Sequence, residues 1–209
     1  FHAAGATPYM RAKKCRFSRA VSSGYSATSC GTTPTRRRAA PTSRLTLLLA
    51  ASEVGAVLKI LNTAGSARWE IAALAWLPGA PSVALRLGGP ATALATLAQE
   101  ILGRWPGKKL NETDADELWA GLREFAWADA HPHGQGKSSL IKVALAPENL
   151  VAFHQSLAAL PGARAQVSAG GNVAFVSLPE AAQAVILDRN LQTQKLSALT
   201  LRGDAPLWL

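Results

Sequence analysis

One order of elements, met twice along the chain, limits what this sequence can fold into: a strand, a helix, a two-strand hairpin and a second helix. Residues 44–50 are an apolar run of strand length. Ser52 then stands at the N-cap position of a helix through Asn62, whose Val54, Val57, Leu58 and Leu61 recur at helical spacing. Residues 69–76 and 82–87 are β-rich, and the turn Pro78-Gly79-Ala80 between them predicts an antiparallel hairpin. Pro90 then opens a long helix to Arg104, with Leu94, Leu97, Ala98 and Ile101 on one face.

The same order returns after a connector. A polar loop leads to a helix at about 113–127, opened by Thr113. Asp114, Asp116 and Glu117 complement its N-terminal dipole, and Leu118, Trp119, Leu122 and Phe125 form its apolar stripe. Strands are then expected at 140–145, 163–167, 172–178 and 198–201, with helices at 147–160 and from Pro179 to about Arg189. The fold class is therefore α+β. Two β-α-β-β-α units, about 44–104 and 138–209, are expected to form ferredoxin-like layers with antiparallel sheet on one side and helices on the other.

Charge divides the chain elsewhere. No Asp or Glu precedes Glu53, whereas nine of the 22 Lys and Arg do, from Arg11 to Arg44; the other 13 balance the 13 acidic residues. The net charge of +9 thus belongs to residues 1–44, and the remainder is close to neutral. That basic stretch, taken as residues 1–43, is rich in Ala, Ser, Thr and Arg and has no sustained period. It is expected to be a disordered or non-native tail, and its composition also fits a transit peptide. Tyr9, Phe17 and Tyr25 lie among its basic residues, an arrangement that could support weak, salt-sensitive nucleic-acid binding, but charge alone is a poor witness and nucleic acid is not the expected partner. Cys15 and Cys30 both fall there, which excludes a cysteine framework in the core and favours a reducing, cytoplasmic setting. No apolar run has the roughly 18–20 residues a membrane-spanning helix needs.

Motifs that carry chemistry are sparse. His131-Pro132-His133 could offer two ligands to a metal, yet a third and fourth are not evident, although Asp129 is nearby, and a solvated loop is the plainer reading. His154 sits within a helical run and reads as a part-buried helix residue. Gly88-Gly89-Pro90 precedes a helix N-terminus, where anions can bind, but lacks a Gly-x-Gly-x-x-Gly or Walker spacing. Gly170-Gly171 permits positive φ between two strands, and a hairpin turn explains it. There is no Gly-x-Ser-x-Gly elbow, and the acidic residues gather on one helix instead of facing each other. No self-sufficient active site is evident.

Several segments together resemble a known family. They are Leu45-Thr-Leu-Leu-Leu49 through Lys59-Ile-Leu-Asn62, Trp69–Trp76 followed by Val83-Ala-Leu-Arg-Leu-Gly-Gly89, Glu117-Leu-Trp-Ala-Gly-Leu-Arg-Glu124, Leu140–Leu145, and Leu199-Thr-Leu-Arg-Gly203. In these the chain resembles the C-terminal part of FAD-linked oxidases of the vanillyl-alcohol oxidase type, most nearly the FAD-binding subunit of glycolate oxidase. The family's Gly-rich flavin loops have no counterpart here, so the resemblance implies a fragment or subunit that supplies the cap, with FAD held mainly by another domain.

That resemblance implies a flavin-dependent oxidoreductase acting on a small 2-hydroxy acid such as glycolate or D-lactate, partnered by an FAD-binding half or other oxidase subunits. By motif it puts Arg202 nearest the acid pocket, where a guanidinium pairs with a carboxylate. Arg86 and Arg123 match looser positions, and Gly170, Gly171 and Asn172 form a turn that could face the cofactor. Trp69, Trp76, Trp105, Trp119 and Trp127 are compatible with an apolar docking face. The alternative is a non-catalytic ferredoxin-like interaction or regulatory module with a basic arm. Such a module would pair through sheet edges or bind a small ligand by itself.

Overall fold

Strand alternation decides which side of the sheet is covered. In the first strand, β1 (Ser43–Ala50), Leu45, Leu47 and Leu49 are buried toward the core while Thr46 faces the other way. A computed structural model of the chain describes residues 43–129 and 138–204. The expected basic tail lies outside these residues, except that Ser43 begins β1. So does the pair His131 and His133.

The first half continues with α1 (Val54–Ser66), β2 (Ile71–Trp76), β3 (Ser82–Gly89), α2 (Ala91–Arg104) and β4 (Gly107–Lys109). The connector is α3 (Glu112–Arg123) with a 3-10 turn at Ala126–Asp129. The second half comprises β5 (Ser139–Ala144), α4 (Leu150–Ala158) entered through a 3-10 turn at Pro147–Asn149, β6 (Arg164–Ser168), β7 (Val173–Leu178), α5 (Ala182–Thr193) and β8 (Ala198–Arg202). All strand pairs are antiparallel, and the eight strands form one sheet in the order β4-β1-β3-β2-β6-β7-β5-β8. Each half has its fourth strand outermost and its second strand at the seam. Equivalent edges, β2 and β6, meet through Ala75–Ser168 and Trp76–Val167, so the halves are related as a pseudo-twofold pair.

The expected α+β architecture and antiparallel sheet are what the structure has. Four of the five helices among the described residues pack on one face. Val57, Ile60 and Leu61 of α1, Leu94 and Ile101 of α2, Leu150 and Phe153 of α4, and Leu187 and Leu191 of α5 join the inward strand residues Leu47, Leu85, Ile141 and Val176 in one buried cluster. Full burial of each such side chain contributes roughly 1.5–3 kcal/mol, which is why a single continuous core can hold both halves together.

Several local expectations move by a few residues. Glu53 rather than Ser52 precedes α1, and its side chain makes no capping bond. The connector helix begins two residues before Thr113's expected first turn: Asn111 is its N-cap, and the Asn111 side chain accepts from the Asp114 amide at 2.8 Å. It also stops at Arg123, because Phe125 adopts a left-handed φ of 55° and redirects the chain. The polar loop after α2 contains β4, an edge strand absent from the sequence reading. Its Gly-Lys-Lys sequence carries no hydrophobic alternation; β4 is held by backbone pairing to Leu47–Leu49, with Gly107 so close that a Cβ would fall 2.5 Å from the Leu48 carbonyl oxygen.

Candidate functional site

The face opposite the four packed helices carries the polar chemistry. Thr46, Arg86, Gln166, Phe175 and Ser177 alternate with core residues on their strands and so project from this second face. The connector crosses it. Near its start, the Arg86 guanidinium is paired with Asp116 at 2.7 Å, and the Trp119 indole N–H donates to the Thr46 hydroxyl at 3.1 Å. Near its end, the Trp127 indole donates to the Gln166 side-chain carbonyl at 2.8 Å, and the Phe125 ring lies 4.8 Å from that of Phe175. The positive φ of Phe125 is sterically costly, and this aromatic contact helps hold it.

The tightest cluster surrounds the last turn of the connector. Two buried hydroxyls, Ser138 at 2.7 Å and Ser177 at 2.6 Å, donate to the Ala128 carbonyl. Asp129 accepts from Arg202 at 2.6 Å and from Ser138 at 3.0 Å, while Arg202 also reaches the Ser138 oxygen at 3.2 Å. Arg202 is therefore already engaged. Its side chain retains a third of its exposure, and its Nε is shielded without a partner. A guanidinium has five N–H donors, so further acceptor oxygens can be accommodated.

The residues singled out in the sequence do not converge. Gly170 and Gly171 belong to a 3-10 turn, Ala169–Gly171, with φ of 67° and 101°. Gly171 is buried where a Cβ would touch Pro147 and Leu61, on the side of α1, and the Asn172 side chain donates back to the Ala169 carbonyl at 2.7 Å. Asn172 precedes the β7 end that pairs Val173 with Ala144, whereas Arg202 sits at the opposite end, across Leu140 from Ser177. Five residues of strand separate them, roughly 17 Å. Arg123 is largely exposed and pairs with its neighbour Glu124 at 3.2 Å. His154 is half-buried, its ring tilted against Trp76 with 5.1 Å between centroids. Together they line an apolar groove of about 660 Å³ between the β2–β3 turn and α4.

Gly88-Gly89-Pro90 makes a poor phosphate cradle. A Cβ on Gly89 would meet Leu94 at 3.8 Å and the Glu70 carboxylate at 3.9 Å, so the space beside it is apolar and acidic. The described residues thus contain no Gly-rich pyrophosphate loop. Among them, no group of three His, Cys, Asp or Glu is placed to hold a metal, and no helix is long and apolar enough to cross a membrane.

Sequence reading missed the anchors of this face. Asp116 and Asp129 are the arginines' partners, and Ser138, Ser177 and Gln166 are polar residues buried among apolar strands. The one legible signal was the polar residue breaking an apolar run, as Gln166 does in Ala-Gln-Val; the partner across space has no such mark. No family model matches the chain, and no curated protein matches it.

Proposed function

We propose that residues 43–204 form two ferredoxin-like units acting as the cap of an FAD-dependent oxidoreductase that oxidises a small 2-hydroxy acid, with FAD held mainly by a partner domain or subunit in the cytoplasm. The observation that carries this reading is the division of the sheet. Four helices cover one face, and the other keeps Arg202 and Lys142 beside its outer strands, with Phe175 and Leu199 flanking Lys142 across the ladder. Such a face can close over a planar ring system, exclude water, and orient a carboxylate by its cationic groups. FAD would supply the redox chemistry when bound. The role of this chain is to hold the acid: Arg202, steadied by Asp129 and Ser138, presents remaining N–H groups to the substrate carboxylate.

The test is co-purification of the full chain with a flavin-binding half of this oxidase class, followed by glycolate and D-lactate turnover. Arg202→Lys should raise KM for the acid at least tenfold while leaving FAD content unchanged. Turnover by the flavin half alone, unaltered by this chain, would exclude the cap role. Titrating FAD into the isolated full chain asks where the cofactor resides, and tight binding there would relocate it to this chain.

A second reading, a non-catalytic interaction module, draws on the outermost strand. Among the described residues β8 pairs only with β5, and its Leu199 and Leu201 remain 40% and 45% exposed. A concentration-dependent dimer with no partner flavoprotein would favour it.

A further inference from the structure

At the first-half end of the second face, a polar cleft of about 580 Å³ lies between β1, β3, the end of β4 and the start of α3. Arg44 and Thr46 are two residues apart on β1, and Thr46 pairs with Arg86 on β3, so both arginines project from the same face as diagonal neighbours. Lys109 lines the cleft from the edge strand, and Asn111, Glu112 and Asp116 line it from α3. Of these cations, only Arg86 has a carboxylate partner among the described residues, Asp116 at 2.7 Å. Arg44 adds positive charge that Glu112 offsets in part, while Lys109, opposite core-facing Leu47, meets the cleft only at the end of β4. The Arg86 Nε is buried with no acceptor.

We infer that this cleft is a binding site for a phosphate group, free or carried by a small ester. Two guanidiniums reaching one space from adjacent strands suit an anion of two charges whose oxygens point in several directions; a planar monocarboxylate satisfies one guanidinium edge. Asp116 has two functions here. It steadies Arg86, and it competes with the incoming anion for the same guanidinium. The site stands whether or not the chain caps a flavin, because none of its residues belongs to the Arg202 cluster.

The test is a titration of the full chain with inorganic phosphate at low ionic strength, followed by calorimetry or amide NMR, with malonate as the dicarboxylate dianion control. Phosphate should saturate the site with Kd of about 0.1–1 mM. Arg44→Met should weaken binding about five- to tenfold, whereas Arg189→Met, on an exposed position of α5, should leave it unchanged. Glu112→Gln, which removes an opposing charge without touching the Arg86–Asp116 pair, should tighten binding about two- to fivefold. Equal losses from Arg44→Met and Arg189→Met would mean a diffuse charge effect and overturn the site. So would malonate binding tighter than phosphate, or no saturation by a chain whose circular dichroism reports it folded.

Discussion

The two halves share one topology and differ most at their outer strands. β4 has three residues, all exposed, and presents only a short edge; β8 has five, with an irregular register against β5 and two exposed leucines. Each half packs a glycine against its neighbouring strand at that edge. In the first it is Gly107 against Leu48 and Leu49, in the second Gly203 against Ser139. The same frame therefore ends in a short polar edge on one side and a longer edge with exposed leucines on the other, and a short edge strand is one way to keep sheets from pairing with other molecules.

If the halves really share one core, damage to either should be felt by both. Phe153→Ala in α4 and Leu85→Ala in β3 should each cost about 3–5 kcal/mol, because both side chains are fully buried and leave large cavities. Urea unfolding followed by circular dichroism and Trp fluorescence should keep coincident transitions in each variant. Two separated transitions would mean that the halves unfold independently.

The edge glycines give the next largest effect. Gly203→Ala combines a φ of 91° with a Cβ 2.6 Å from the Ser139 hydroxyl and should cost about 2–3 kcal/mol. Gly107→Ala has a clash of the same kind without positive φ and ends a strand of three residues. It should release β4 locally, seen as faster amide exchange at Leu110, at a global cost nearer about 1 kcal/mol.

The arginine clamps should rank by burial. Arg86 is 19% exposed and Arg202 35%, each opposite a carboxylate that is more than half exposed. Arg86→Met should cost about 1–2 kcal/mol and Arg202→Met about 0.5–1 kcal/mol in thermal or urea unfolding. Equal costs would mean that the first half does not depend more on its strap than the second. The smallest effect has the opposite sign. α5 is followed by Lys195 at a left-handed φ of 56°, whereas α2 ends at Trp105 in extended backbone. Lys195→Gly should stabilise by about 0.5–1 kcal/mol, and no equivalent gain is available after α2.

The repeated order of elements was legible because apolar period changes sharply between strand and helix, as from Leu45–Leu49 to Val57, Ile60 and Leu61. β4 was not, since a backbone-paired edge of glycine and lysines leaves no trace in hydropathy. The candidate site fared worse for a related reason. Arg202 stood out by motif, but its partner Asp129 lies 73 positions away in sequence and reads in isolation as a loop carboxylate. Gly170 and Arg202, both plausible from sequence, are separated by the length of a strand that only the ladder reveals.

The seam between the halves has a consequence for synthesis. Residues 43–109 contain every strand of the first half, so all four are synthesised before any strand of the second. Until residues 164–168 emerge, the outer edge of β2 has no partner at Ala75 and Trp76. The growing chain therefore passes through an interval in which an apolar strand edge is open to other nascent chains, and the emergence of β6 closes it.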